Sequence, residues 1–108
     1  MSVKLLLLKS GEQVISEAKE LVLKDGDKVY GYVLHKPHQV VASKVERNTL
    51  VLTEDPNDGG NVEITLSPWI LLSEDESMTV PQDWVITIVN PIKSVLKMYE
   101  EKTNGQSN

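Results

Sequence analysis

Two histidines three residues apart, His35 and His38, come nearest in this chain to the spacing of a metal site. Imidazoles at this spacing could share a zinc or nickel ion, but structural zinc needs about four ligands and no third ligand is marked by spacing. The chain has no cysteine, so thiolate ligands and thiol nucleophiles are both excluded. The pattern therefore predicts two surface histidines and no metal site.

The acidic segment at residues 55–63 is the other place where an ion could bind. Its oxygen-bearing residues resemble a calcium loop in composition only, because they lack the spacing that such loops require. Ser10 and Ser43 have no marked relation to either histidine, and the chain contains no G-x-S-x-G motif. We therefore predict no catalytic residue, no cofactor and no enzymatic activity.

A basic segment that carries two tyrosines, between Lys28 and Arg47, could bind single-stranded nucleic acid. Tyr30 and Tyr32 would lie on the same face of a strand, where their rings could stack on bases while nearby cations bind phosphates. The alternative is structural, because tyrosine favours half-buried strand positions. The candidate RNA-binding residues are Tyr30, Tyr32, His35, Lys36 and His38.

The net charge of −5 over 108 residues argues against a protein built mainly to bind nucleic acid. Residues 1–53 hold eight Lys or Arg and six acidic residues, whereas residues 54–108 hold three and ten. A phosphate-binding surface would thus come from the first half. The apolar run at residues 3–8 is too short to span a membrane, so the chain is predicted to be one soluble, cytoplasmic domain.

Several short strand patterns are predicted to position these residues. Residues 29–34 alternate clearly, and Pro37 interrupts them because proline cannot donate to a ladder, which marks an edge, a bend or a bulge. Residues 13–23 fit a helix or a bent strand, and the hairpin turn that follows them favours the strand. The other predicted strands are residues 3–8, 39–45, 49–53, 62–66 with an extension through 73, and 84–89.

The chain is predicted to end in one helix. Asn90 suits an N-cap, and Pro91 suits the first helical position, where its missing N–H costs nothing. The apolar stripe of this helix would consist of Ile92, Val95, Leu96 and Tyr99. A helix this short is only marginally stable by itself, and we therefore expect its apolar stripe to cover an apolar surface. The predicted organisation is a single domain over residues 1–108, with a barrel at 1–90, a helix at 91–103 and a disordered tail at 104–108.

Two stretches resemble the Sm-like family, whose small barrels assemble as rings and bind RNA. LLLKSGEQVISEA is similar to the first motif of the family, with Ser16 where a glycine often permits strong bending. QDWVITIVNP is similar to the last-strand motif of the bacterial RNA chaperone of this family. Small Sm-like proteins attributed to marine cyanobacterial phages look most similar, including the strand–proline–helix ending.

The resemblance implies a mainly β fold: a small, strongly bent antiparallel barrel of about five strands with a C-terminal α-helix. It also implies a homo-oligomeric ring of roughly five to seven copies. Ring formation needs only exposed edge strands, and residues 3–8 and 84–89 are predicted to be such edges. The candidate interface residues are Leu5, Leu7, Trp84, Ile86 and Ile88.

The Sm-like resemblance supports RNA binding less well than it supports ring formation. Asp83 and Trp84 stand where the family has a basic pair that contacts RNA, so an anion replaces the cation. The Asp and Asn signature of the RNA loop has no clear counterpart here. Two functions therefore stay open: a ring that binds single-stranded RNA, and an acidic assembly module that binds an unidentified protein without nucleic acid. If the protein is phage-encoded, it would act in the host cytoplasm.

Overall fold

The structure is a computed structural model and describes residues 2–23, 26, 28–44 and 62–104. In chain order its elements are β1 (Ser2–Leu8), β2 (Gln13–Val22), β3 (Val29–Lys44), β4 (Val62–Pro68), β5 (Ser77–Pro81), a 3-10 turn (Gln82–Trp84), β6 (Val85–Val89) and α1 (Lys93–Asn104). Three features of the sequence lie outside the described residues: the strand predicted at 49–53, the acidic residues at 55–58 and the end of the predicted tail.

The six described strands form one antiparallel sheet in the order β4-β3-β2-β1-β6, with β5 also paired to β3. β3 is long enough to take two partners on the same edge: residues 31–35 pair with β5, and residues 38–44 pair with β4. The prediction of a mainly β antiparallel fold with a C-terminal helix is confirmed. Among the described strands the sheet is not closed, so a barrel is not confirmed.

β3 is a single strand with a bulge in its middle, not two strands separated by an interruption. Its pairing with β2 shifts register at this point, so that Lys36 and Pro37 together face Ser16. Lys36 has φ of 54°, a left-handed conformation that is uncommon outside glycine. The bulge that Pro37 predicted is therefore confirmed, whereas the predicted break of the strand is wrong, because β2 and the β4–β5 side hold both halves in one ladder.

The sheet has an apolar cluster on each face. The first cluster consists of Leu6, Leu8, Val14, Leu34 and Val80. The second consists of Ile15, Leu66, Val95 and Tyr99, so helix α1 covers this second face. Leu5 packs against the second cluster while its neighbour Leu6 lies in the first. β1 is therefore apolar at successive positions because it is covered on both sides.

Helix α1 starts two residues later than predicted. The Ile92 carbonyl accepts the N–H groups of Val95 and Leu96 and so begins the helical hydrogen bonding. Asn90 does not act as the N-cap; its Oδ1 accepts a hydrogen bond of 2.7 Å from Lys4 Nζ. The predicted N-terminus is therefore wrong, because the first helical hydrogen bonds go to the Ile92 carbonyl and not to Asn90.

The apolar stripe of the helix is confirmed at two of its four predicted positions. Val95 and Tyr99 are buried, Leu96 is half-buried, and Ile92 is 65% exposed. The helix covers the face of its own sheet that carries the second cluster, because Val95 and Tyr99 pack there with Ile15 of β2 and Leu66 of β4.

The segment between β4 and β6 departs most from the prediction. β4 ends at Pro68, so the predicted extension through residue 73 is a turn instead of a strand. β5 was not predicted, and the last strand begins at Val85 because the three residues before it form the 3-10 turn. β5 lies against β3 at Gly31, where an added Cβ would be only 2.5 Å from the Val80 carbonyl oxygen.

Candidate functional site

The two candidate tyrosines on β3 differ in their environment. Tyr32 is half-buried and packs against the first apolar cluster, beside the fully buried Leu34. Tyr30 is 48% exposed. Because Tyr32 contributes to the core, the pair does not present two equally free rings to a ligand, and Tyr30 is the more accessible of the two.

His35 and Lys36 lie at the β3 bulge, where several hydrogen bonds hold the backbone. His35 Nδ1 lies 2.9 Å from Ser77 Oγ on β5. The Lys36 N–H donates to the Glu76 carbonyl at 2.6 Å. Ser16 Oγ lies 2.9 Å from the carbonyl oxygens of both His35 and Glu17 and shares its proton between them. The left-handed residue is therefore fixed from both neighbouring strands, and the His35 ring is used within the fold.

The Tyr99 hydroxyl ties helix α1 to the same bulge. It lies 3.0 Å from the carbonyl oxygens of both His35 and Lys36 and shares its proton between them. It also accepts the Glu17 N–H at 3.3 Å. Burial raises the pKa of this hydroxyl above the ordinary value and the Glu17 charge adds to the rise, although the bond from the Glu17 backbone opposes it. Tyr99 is thus a structural junction that the sequence pattern identified only as an apolar position.

His38 contacts this junction directly. Its Nδ1 lies 3.0 Å from the Lys36 carbonyl, and because a carbonyl oxygen only accepts, this nitrogen must carry a proton. The ring meets Tyr99 edge-on, with 5.7 Å between the ring centroids. No group of three or more His, Cys, Asp or Glu side chains that could hold a metal ion occurs among the described residues.

A cleft of about 450 Å³ opens beside the bulge, between the turn after β4 and the end of α1. Lys36 and Lys102 line it, and so do the three consecutive acidic residues 74–76. Trp69, also in the lining, points its indole N–H at Glu12 Oε2 over 3.4 Å. The cleft therefore carries more acidic than basic side chains, and a phosphate backbone would meet no concentrated positive charge there.

The free edges of the sheet are the second candidate site. Among the described strands, β4 and β5 pair only with β3, and β6 pairs only with β1. The outer backbone N–H and C=O groups of β4 and β5 therefore lie along one edge of the sheet, and those of β6 lie along the other. On β6, Ile86 is 59% exposed and Val89 is 47% exposed, so the edge is also apolar. Exposed apolar edges of this kind are sites for pairing with another chain.

The candidate interface residues fall into two groups. Leu5 and Leu7 belong to β1, which pairs with β2 on one side and β6 on the other, so the prediction that residues 3–8 form an edge is wrong. Trp84 and Ile86 are exposed at the β6 edge, whereas Ile88 packs on the first cluster. The Trp84 carbonyl accepts the Lys9 N–H at 2.9 Å, which fixes the turn in front of β6.

Sequence reasoning missed the exposure of the apolar residues that follow β4. Residues 70–72 form the turn there, and Leu71 and Leu72 are the two most exposed large apolar side chains of the described chain, at 69% and 95%. Four apolar residues in succession after Pro68 suggested a continued strand. The signal against a strand was the lack of alternation, together with the acidic residues that follow at once.

No curated protein is significantly similar to this chain. Among the described residues, no helix is long and apolar enough to cross a membrane. One family model, described as a family of unknown function (DUF6561), matches residues 1–104. Because the match spans nearly the whole chain, the protein belongs to the DUF6561 family.

Proposed function

We propose that this protein is a non-catalytic, Sm-like assembly module whose copies associate into a ring through their free strand edges. The observation that supports this most is that the described sheet has unpaired edges on both sides: β4 and β5 pair only with β3, and β6 pairs only with β1. Pairing β5 of one copy with β6 of the next is a head-to-tail contact, which gives a ring when the rotation closes. The bulged, antiparallel sheet is also compatible with the small barrel that the Sm-like resemblance implies.

Strand pairing alone does not account for a stable ring. β5 and β6 have five residues each, and such a pair forms about four backbone hydrogen bonds. At about 0.5–1.5 kcal/mol each, these contribute roughly 2–6 kcal/mol. Association costs about 4–15 kcal/mol in lost translational and rotational freedom. Apolar side chains such as Ile86 therefore have to be buried between copies as well.

RNA binding by Tyr30, Tyr32, His35, Lys36 and His38 stays a prediction from the sequence. Three of these side chains, Tyr32, His35 and His38, already have partners within the fold. The neighbouring cleft has more acidic than basic lining residues. We therefore favour the form of the proposal in which the ring assembles without nucleic acid and presents its acidic surface to a protein.

The molar mass in solution tests the assembly. Light scattering should give roughly five to seven times the chain mass of 12.1 kDa. Ile86→Lys on β6 and Thr79→Lys on β5 should each reduce the mass to that of one chain, because an edge lysine would have to be buried in the pair. Val41→Lys is the matched control: Val41 is apolar and 44% exposed like the Ile86 position, but it lies on β3, where it pairs with Thr65 of β4, and so belongs to neither β5 nor β6. A wild-type protein that stays monomeric at high concentration would overturn the proposal.

Fluorescence titration with labelled oligo-U and oligo-A decides the RNA question. If the RNA prediction is right, binding appears at low salt, falls steeply as salt rises, and weakens in Tyr30→Ala and Lys36→Ala. No binding at low salt to a protein of confirmed ring mass would leave assembly as the function.

A further inference from the structure

The turn after β4 exposes three consecutive aliphatic side chains to solvent. Ile70, Leu71 and Leu72 are 49%, 69% and 95% exposed. The turn is closed by a hydrogen bond of 3.1 Å from the Ser73 N–H to the Ile70 carbonyl. We name residues 70–72 the apolar turn. A contiguous run of exposed apolar residues is unfavourable in water unless a partner covers it.

An acidic segment separates the apolar turn from the free edge strand β5. Residues 74–76, Glu-Asp-Glu, are all exposed. The Asp75 N–H donates to Ser73 Oγ at 3.0 Å, so the segment is anchored to the end of the turn. Whatever covers the apolar turn must therefore also accept three neighbouring negative charges, which favours a surface with apolar and basic residues side by side.

The opposite end of the described sheet carries such a surface. Val89 ends β6, and the 65% exposed Ile92 follows it just before α1. Lys93 and Lys97 are both exposed and lie four residues apart on α1, so they share a helix face. The first turn of α1 contains no acidic residue. We name Val89, Ile92, Lys93 and Lys97 the receiving patch.

Antiparallel pairing of β5 with β6 of a second copy would bring these two surfaces together. In that arrangement the start of β5, Ser77, faces the end of β6, Val89. The residues in front of Ser77 then run alongside the residues that follow Val89. The acidic segment thus approaches the start of α1, and the apolar turn lies against the same end of the neighbouring sheet.

We propose that the apolar turn of one copy docks on the receiving patch of the next copy, with the acidic segment against Lys93 and Lys97. This inference rests on the edge pairing proposed above and adds the side-chain contact that strand pairing alone lacks. The acidic segment argues against an anionic membrane or a nucleic acid as the partner, because both would repel it. A second copy has the apolar and charged groups that the turn requires.

Charge reversal tests which surfaces meet. A loop variant carries Glu74→Lys with Glu76→Lys, and a helix variant carries Lys93→Glu with Lys97→Glu. Each variant alone places like charges at every contact and should assemble at least tenfold more weakly than the wild type. In a mixture of equal amounts, alternating copies place opposite charges at every contact of a ring with an even number of copies, and at all but one contact of a ring with an odd number. The mixture should therefore assemble at least tenfold more tightly than either variant alone. Failure of the mixture to assemble more tightly while each variant stays folded would overturn the docking.

Removal of the apolar contact gives a second, independent test. Leu72→Ser should weaken assembly about 10- to 100-fold, the range expected for one buried leucine. Leu72 is almost fully exposed in the single chain, so the substitution should not change the stability of the fold itself. The Tm of the Leu72→Ser protein should therefore match that of the wild type when both are measured as dissociated chains. A Leu72→Ser ring of unchanged affinity, together with an Ile86→Lys protein that dissociates, would refute the docking and leave the edge pairing intact. A monomeric wild type would refute both.

Crosslinking checks the contact directly, because the chain has no cysteine of its own. A Leu72→Cys copy mixed with an Ile92→Cys copy should give a covalent dimer with a short bismaleimide reagent. The matched control replaces Ile92→Cys by Val41→Cys, which places an exposed thiol on β3. Equal yields from both mixtures, or no dimer in the first, would contradict the proposal.

Discussion

Loss of a single hydroxyl, in Tyr99→Phe, tests how helix α1 is joined to the sheet. The ring stays and keeps its burial in the second apolar cluster. The change removes the shared hydrogen bond to the His35 and Lys36 carbonyls and the acceptor of the Glu17 N–H. All other contacts of the helix are unchanged, so the effect on unfolding reports on these hydrogen bonds.

The expected loss follows from which groups keep another partner. The His35 carbonyl retains Ser16 Oγ, and the Lys36 carbonyl retains the His38 ring. The part-buried Glu17 N–H loses the hydroxyl that faces it, and leaving such a donor without a partner costs about 1–3 kcal/mol. We expect Tyr99→Phe to lower the free energy of unfolding by that amount, which corresponds to roughly 4–8 °C in Tm for each kcal/mol.

Urea unfolding followed by circular dichroism measures this loss, at one fixed protein concentration because assembly would also stabilise the fold. Tyr30→Phe is the matched control: it removes the same hydroxyl from an exposed tyrosine and should change the free energy of unfolding by less than about 0.5 kcal/mol. Equal values for Tyr99→Phe and Tyr30→Phe would refute the role of the Tyr99 hydroxyl.

The pH dependence gives a second measure of the same residue. Burial raises the pKa of Tyr99 in the folded state. Above the ordinary tyrosine pKa of about 10, the unfolded chain therefore releases this proton while the folded chain retains it. The Tyr99 contribution is fully present below that pH and is lost as pH rises through the folded pKa. Tyr99→Phe should fall less steeply in stability above that pH than the wild type, and identical slopes would contradict the assignment.

Three further substitutions test the packing around the bulge. Gly31→Ala should destabilise the fold by about 1–3 kcal/mol, because the added Cβ would lie 2.5 Å from the Val80 carbonyl oxygen. Gly26→Ala is the control and should be tolerated, because its Cβ would meet nothing closer than 3.8 Å. Equal Tm values for the two variants would contradict this. Leu66→Ala should lower the free energy of unfolding, measured with urea, by about 2–5 kcal/mol, because Leu66 is buried under α1. Leu71→Ala is the control and should lower it little, because Leu71 is exposed. The reverse order would refute the assignment of the second cluster. Ser16→Ala should lower the free energy of unfolding by about 1 kcal/mol. Its double-mutant cycle with Tyr99→Phe should be non-additive, because both hydroxyls donate to the His35 carbonyl. Strict additivity would show that the two hydroxyls act independently.

The strands that the sequence predicted correctly are those with strong local signals. The turn residues that follow residue 23 predicted a hairpin and so favoured a strand over a helix for residues 13–23, and the structure has β2 at Gln13–Val22. Pro37 indicated the β3 bulge because its missing N–H cannot join a ladder. The helix was predicted from its apolar stripe, although its start was misplaced by two residues; the Asn90 side chain that suggested an N-cap accepts a hydrogen bond from Lys4 instead, 86 positions away.

The elements that were missed have weak local signals. β5 contains Pro81 and only two apolar side chains, Met78 and Val80, and follows an acidic segment. It is a strand because the Gly31 backbone leaves room for it against β3. The turn at residues 70–72 has the opposite character: an apolar composition that predicted a strand, but no alternating face to bury.

The sequence by itself determined that this chain is a mainly β protein with a terminal helix, because strand alternation, turn residues and a helical apolar stripe are properties of neighbouring residues. Only the tertiary structure decided which strands have free edges, that Tyr99 joins the helix to the β3 bulge, and that the His35 and His38 rings are engaged within the fold. The partners of Tyr99 lie 63 to 82 positions away along the chain. Packing brings them together, and no local pattern contains that information.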